Sequence, residues 1–185
     1  MDEHKEKAPY VIYEDKNLLV VNKPAGIIAA GDGKTKEETL INLLTELYPE
    51  LKKVGNPPRY GLVHRLDKDT SGVILIAKNS KSLQFLQKQF EQRKVQKKYL
   101  ALVYGRVAGN KGIVETLIGR DKNNRLKQKA YLFIDPEAKR KGLRQAITLW
   151  KVLKRFKDYT LLEVFPKTGR KHQIRAHLLF LGHPI

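Results

Sequence analysis

The sequence predicts an α+β fold with a largely antiparallel or mixed sheet, on three observations. Strand-like and helix-like segments intermix without the regular strand–helix–strand rhythm of a parallel α/β protein. From Lys97 onward the texture is β, with branched and aromatic residues punctuated by Gly, Asn and Asp. A composition of 41% hydrophobic and 30% charged residues over 185 positions belongs to a chain that buries a real core.

Taken in order, residues 1–9 read as a flexible tail ahead of the core. Tyr10–Glu14 and Asn17–Asn22 read as short strands separated by the turn-forming Asp15-Lys16, and Lys23-Pro24-Ala25-Gly26 breaks the second. Thr35 and Glu38 stand at capping-box spacing. Leu40, Leu43, Leu44 and Leu47 follow at helical spacing, which predicts a helix to about Tyr48. Lys52–Tyr60, with Gly55 and Pro57-Pro58, is a loop, and Val73–Lys78 is a buried strand by composition. Ser80 caps a helix carrying Leu83, Leu86 and Phe90 on one face and ending near Arg93. Tyr99–Val107, Gly112–Ile118, Ala146–Phe156 and Tyr159–Phe165 are strands, with Lys139–Arg144 a basic loop open to disorder. A last helix spans Arg170–Leu181, with Gly182 at the left-handed terminating position. The chain holds no internal repeat and no low-complexity segment.

Charge narrows the function. Lys plus Arg exceed Asp plus Glu by 37 − 19 = 18. Residues 1–50 hold six basic and ten acidic residues, so residues 51–185 carry the whole excess, about +22. So lopsided a balance points to a polyanionic partner. An anionic membrane would call for a basic amphipathic helix, whereas the basic residues here are spread over many segments, which favours nucleic acid. The charged N-terminus is no secretory signal, and apolar runs such as Val73 to Ala77 are too short to span a bilayer. The absence of cysteine excludes disulfides and thiolate metal sites and fits a reducing compartment. The expectation is a cytoplasmic protein, and nothing demands more than a monomer.

Several chemistries find no support. No GxGxxG follows a strand and no GxxxxGK[ST] occurs, which argues against a nucleotide cofactor. His172 and His177 are five apart, on different faces of a helix and outside any HExxH pattern, so no metal site is expected. Ser71 lacks the GxSxG elbow of a hydroxyl nucleophile.

Two segments stand out. Tyr60-Gly-Leu-Val-His-Arg-Leu-Asp-Lys-Asp-Thr-Ser-Gly72 concentrates His64, Arg65, Asp67, Lys68 and Asp69 between apolar stretches. On its residues alone it suits a turn whose Asp and Thr side chains satisfy backbone donors, or a paired-carboxylate site of Asp67 and Asp69. In Thr168-Gly-Arg-Lys-His-Gln-Ile-Arg-Ala-His-Leu178, helical spacing puts His172, Arg175 and Leu179 on one face. Arg175 there either snorkels to water or meets a carboxylate, with Asp67 the candidate.

With these segments, Leu19-Val-Val-Asn-Lys-Pro-Ala-Gly26 and Lys97-Lys-Tyr-Leu-Ala-Leu-Val-Tyr-Gly105 complete a set of four motifs in one order. In that set the chain resembles the RluA-type pseudouridine synthases, which modify ribosomal and transfer RNA, and the resemblance runs from Tyr10 to Ile185. It implies that Asp67 is the catalytic aspartate, that Tyr99 stacks on the target base, and that Arg175 is the basic partner of the aspartate. It places Arg65 beside the pocket, against RNA. Lys23 and Pro24, and His64 in the second motif, support the site. It implies a mixed, mainly antiparallel sheet with flanking helices, an active-site cleft and no cofactor. Arg120, Lys122, Arg125, Lys127 and Lys129 are candidates for phosphate contacts, against the alternative of a solvated hairpin.

The chain departs from the family in two ways. The resemblance starts at Tyr10, so the accessory RNA-binding domain that many relatives carry at the N-terminus is expected to be absent. The chain also stops at Gly182-His-Pro-Ile185 where relatives continue with Gly-Asp, so the last part of the single catalytic domain is expected to be missing. The rival reading, a non-catalytic RNA-binding protein, shares the basic surface but has no need of the Asp67, Tyr99 and Arg175 set. A base-releasing glycosylase is a more remote rival.

Overall fold

The structure, a computed structural model, describes residues 9–33, 37–124 and 126–185. The chain divides into two compact units, Met1–Lys94 and Val95–Ile185, each built around its own antiparallel sheet.

In the first unit, β1 (Tyr10–Glu14), β2 (Leu18–Lys23) and β3 (Gly72–Ala77) form a three-stranded sheet in that order. Strand alternation aims Leu19 and Val21 of β2 inward with Ile74 and Ile76 of β3, and all four are fully buried. α1 (Leu40–Leu47) buries Leu40, Ile41 and Leu44. Its cap differs from the expectation. Thr39 is the N-cap, with a reciprocal box to Asn42, and Glu38 stays outside the helix; Thr35 lies outside the described residues, as do residues 1–8 of the expected tail. Thr39 precedes the leucine run directly, so capping there leaves no unpaired turn ahead of the apolar face. Part of the expected Lys52–Tyr60 loop belongs to a 3-10 turn at Pro49–Lys53. α2 (Ser80–Glu91) is capped by Asn79, whose Oδ1 accepts from the backbone N–H of Ser82 at 2.9 Å, so Ser80 is the first helical residue rather than the cap.

In the second unit, β4 (Tyr99–Tyr104), β5 (Lys111–Arg120), β6 (Gln128–Tyr131), β7 (Arg144–Arg155) and β8 (Tyr159–Pro166) form a sheet of order β4-β8-β7-β5-β6. β6 has no counterpart among the sequence expectations. Its four residues are too short for a periodic signal, and pairing with the end of β5 stabilises them. The expected basic loop Lys139–Arg144 starts inside a 3-10 turn at Pro136–Lys139 and ends at the first residue of β7. Ala101, Val103, Leu162, Val164 and Leu178 join β4, β8 and α3 (Gln173–Phe180) in one core cluster. α3 is shorter than the expected Arg170–Leu181. His172 adopts the left-handed conformation at φ 51° and serves as N-cap residue, so it does not share a helical face with Arg175. Gly182 closes the helix at φ 82°, as expected.

Within the sheets every pair is antiparallel, and the one parallel pairing among the described residues is the isolated bridge of Ile28 to Thr39. The α+β expectation holds. No described helix is long and apolar enough to cross a membrane.

Candidate active site

Asp67 sits in the first unit, half-buried, at the start of a tight turn closed by Thr70 N–H donating to the Asp67 carbonyl at 3.1 Å. The segment leading to it is pinned at two points. Gly61 accepts from Ala77 N–H at 2.8 Å, and its left-handed backbone at φ 67° brings it so close to β3 that an added Cβ would strike the Ala77 carbonyl. Only glycine fits there. Farther along, His64 Nε2 accepts from Leu75 N–H at 3.1 Å and its ring stacks on Phe90 with centroids 4.7 Å apart. Accepting at Nε2 puts the neutral ring's proton on Nδ1. His64 thus ties the segment to β3 and α2. Leu66 is buried, which turns the neighbouring Arg65 outward to solvent.

Lys23 supports the turn from beneath. It occupies the last inward position of β2, in line with Leu19 and Val21, and is fully buried. A lysine in that row must find acceptors for three donors. Its Nζ donates to the carbonyls of Pro24 at 2.7 Å, Ile27 at 2.8 Å and Lys68 at 2.9 Å. Gly26 N–H donates to the same Lys68 carbonyl at 2.9 Å, so the Pro24–Ile27 strap and the Asp67–Thr70 turn are one hydrogen-bonded body. Burial lowers the Lys23 pKa, while the charges of Asp69 and Asp67 pull it back up. Asp67 therefore stands in the field of a fixed ammonium, on a residue that the sequence marked only as a support of the site. An inward Lys continuing an apolar alternation was the available signal.

Tyr99 and Arg175 belong to the second unit. Tyr99 opens β4 opposite Val164 of β8 and packs, half-buried, on the core cluster that also receives Ile174. Arg175 lies on the exposed side of α3, between half-buried Ile174 and buried Ala176. Its guanidinium therefore carries no desolvation penalty that would oblige a counter-charge, which removes the burial argument for a carboxylate partner.

What holds α3 in place is a polar network under the helix. His177 is fully buried, with Nδ1 2.7 Å from Thr148 Oγ1 and Nε2 3.0 Å from Thr116 Oγ1. Gln173 Nε2 donates to Thr148 Oγ1 at 2.9 Å and to the Ile147 carbonyl at 3.0 Å, and its Oε1 accepts from Thr168 Oγ1 at 2.7 Å. Burial pushes the His177 pKa down to about 4, so the ring is neutral near pH 7. Inward-facing threonines in otherwise apolar strand rows were the sequence signal for this network.

The basic stretch after β5 is a hairpin, with Gly119 opposite Lys129 and Arg120 opposite Gln128. Arg120, Lys122, Lys127 and Lys129 are exposed on it, and the Lys129 Nζ sits 5.2 Å above the Tyr131 ring; Arg125 lies outside the described residues.

Residues 17–180 match the family model described as RNA pseudouridylate synthase. The chain is 41% identical over 177 residues to the ribosomal large subunit pseudouridine synthase D of Borreliella burgdorferi, covering 95% of this chain and 52% of that protein. It is 40% identical over 175 residues to the protein of the same name from Neisseria meningitidis serogroup B, covering 95% and 44%. It thus spans about half the length of the curated relatives it matches. Human RNA pseudouridylate synthase domain containing 4 superposes with a TM-score of 0.76 at 30% identity, over 95% of this chain and 66% of that one.

Proposed function

The chain belongs to the RNA pseudouridylate synthase family, and from that premise we propose that it isomerises selected uridines in RNA to pseudouridine, with Asp67 as the catalytic carboxylate. The relatives are named for the ribosomal large subunit, which favours its RNA as the substrate; transfer RNA, the other class that the resemblance implies, is the second candidate. In this reading Tyr99 is the aromatic face for the target base, Arg175 the site's basic residue, and Arg65 with Arg120, Lys122, Arg125, Lys127 and Lys129 the contacts to RNA. Lys23, Pro24 and His64 support the site. The enzyme acts as a cytoplasmic monomer.

One observation carries the reading: the Asp67 turn is built around a buried ammonium that makes all three of its hydrogen bonds to backbone carbonyls. A turn needed only to reverse the chain has no use for a buried cation, whereas a carboxylate that must stay ionised and fixed gains from one.

The reaction breaks the bond from ribose carbon 1′ to uracil nitrogen 1, turns the base, and joins the same ribose carbon to carbon 5. The proton on carbon 5 is lost and nitrogen 1 gains one. Substrate and product are isomers, so no nucleotide cofactor, oxidant or net water is consumed. Asp67 acts either as a nucleophile or as a base toward the ribose. The uridine first leaves its stack at a cost of a few kcal/mol, and stacking on one aromatic face returns roughly 1–3 kcal/mol.

Nucleoside mass analysis of RNA treated with the enzyme tests the proposal. A new nucleoside of uridine mass but altered retention supports it. Loss of uracil from the RNA makes the protein a glycosylase, and unchanged, tightly bound RNA makes it a binding protein.

A further inference from the structure

The second unit holds a surface cleft of about 290 Å³ where the ends of three strands meet the loop that precedes α3. Arg120 and Gln128 face each other across β5 and β6 at one side, and Arg144 opens β7 opposite Ile118. Arg170 and Lys171 close the other side. None of the described lining residues is acidic. The Arg170 Nε donates to the Gln145 carbonyl at 3.0 Å, which fixes the plane of its guanidinium in the wall. The Arg120 carbonyl is taken by an Nη of Arg140, so that acceptor is turned to a cation already. Gly119 lies in the floor because Leu143 occupies the space a side chain would need.

Arg120, Arg144 and Lys171 gathered about one cleft repel one another, a cost that a bound anion relieves. Guanidinium forks and an ammonium set around a concave wall match a tetrahedral oxyanion with several acceptors. We propose that this cleft is a dedicated phosphate site that holds one backbone phosphodiester of the substrate RNA, with Arg144, Arg170 and Lys171 as binding residues beyond the hairpin lysines. The inference rests on the proposed action on RNA. It adds a fixed anchor, which registers the strand on this unit, to the diffuse attraction of the hairpin.

The test pairs the Arg144→Gln/Lys171→Gln variant with Lys52→Gln/Lys53→Gln, which removes the same charge from an exposed turn elsewhere. Lys171→Gln alone, at an exposed side chain, serves as a second variant less able to disturb folding. Binding of a uridine-containing single-stranded oligoribonucleotide is measured across a salt series, with a single neutral methylphosphonate placed at each linkage in turn. The cleft variant is expected to lower the slope of log K against log salt by about 0.7 for each phosphate it no longer neutralises, and Lys171→Gln to move it the same way. One linkage whose neutralisation weakens the wild type is expected to have no effect in the cleft variant. Equal slopes for cleft and control variants, or no linkage coupled to the cleft, overturns the phosphate site. Retention of a phosphoserine peptide in place of RNA overturns it too. Tritium release from carbon-5-labelled uridine in the same RNA is read in parallel: wild type with a coupled linkage but no release keeps the cleft and removes the isomerase reading, and release without a coupled linkage does the reverse.

Discussion

The ammonium of Lys23 donates to the carbonyl oxygen of Lys68, 45 positions away, at 2.9 Å. Through that bond the end of β2 governs the position of the residue beside Asp67. The two other Nζ bonds, to Pro24 and Ile27, close the remaining sides, so the cation has one possible placement.

Lys23→Met keeps the apolar stem and removes the charge. It leaves three carbonyls short of a buried donor and is expected to lower the unfolding free energy by roughly 3 kcal/mol, since an orphaned buried polar group costs about 1–3 kcal/mol. Urea denaturation measures the loss. Activity assayed where the variant remains folded falls as well, because the Asp67 turn loses its support. A variant with wild-type stability contradicts the three-carbonyl clamp.

Gly61→Ala is expected to cost more than about 1 kcal/mol, because its φ of 67° and the adjacent Ala77 carbonyl leave no room for a methyl group. Thermal unfolding with and without the substitution checks this, and an unchanged midpoint would show that the segment is not pressed against β3.

His177 makes stability depend on pH. The unfolded chain takes up a proton on this ring near pH 6.5, whereas the buried ring resists it until about 4. The unfolded state therefore binds more protons throughout that window, and stability falls as the solution is acidified. The full contribution is present above pH 6.5 and about 3 kcal/mol is lost on passing down through pH 4. His177→Gln removes this titration, so its unfolding free energy, followed by urea denaturation from pH 7.5 to 3.5, should change less than that of the wild type. Identical pH profiles for the two proteins contradict a neutral buried imidazole.

Arg175→Lys retains the charge and loses the planar fork. The proposed role predicts at least a tenfold loss of rate, about 1.4 kcal/mol, with RNA affinity reduced much less. Single-turnover kinetics and filter binding separate the two effects. Weak binding with normal turnover makes Arg175 an RNA contact instead.

The strands were legible because alternation in Leu18–Lys23 and Tyr159–Pro166 follows directly from one buried face. The ends of helices were less so. Asn79 and Thr39 took the caps from neighbours of similar chemistry, a choice that depends on where the preceding backbone is extended. At α3 the Gln173 side chain bonds to Arg170 N–H and Thr168 Oγ1, a tertiary arrangement that holds the preceding residues out of the helix and that no local propensity encodes. The motif containing Asp67 was visible as a polar island between apolar runs, and Lys23 was marked as a support only through the resemblance, because the hydrogen bonds that join the two form only in the folded sheet.

An isosteric replacement of the Asp67 carboxylate separates the chemistry from RNA binding. Asp67→Asn preserves size and removes the charge, and tritium release from carbon-5-labelled uridine in RNA reads the chemistry itself. The variant is expected to fold, to bind RNA like the wild type and to release no tritium above background. Release at the wild-type rate would contradict the catalytic role of Asp67.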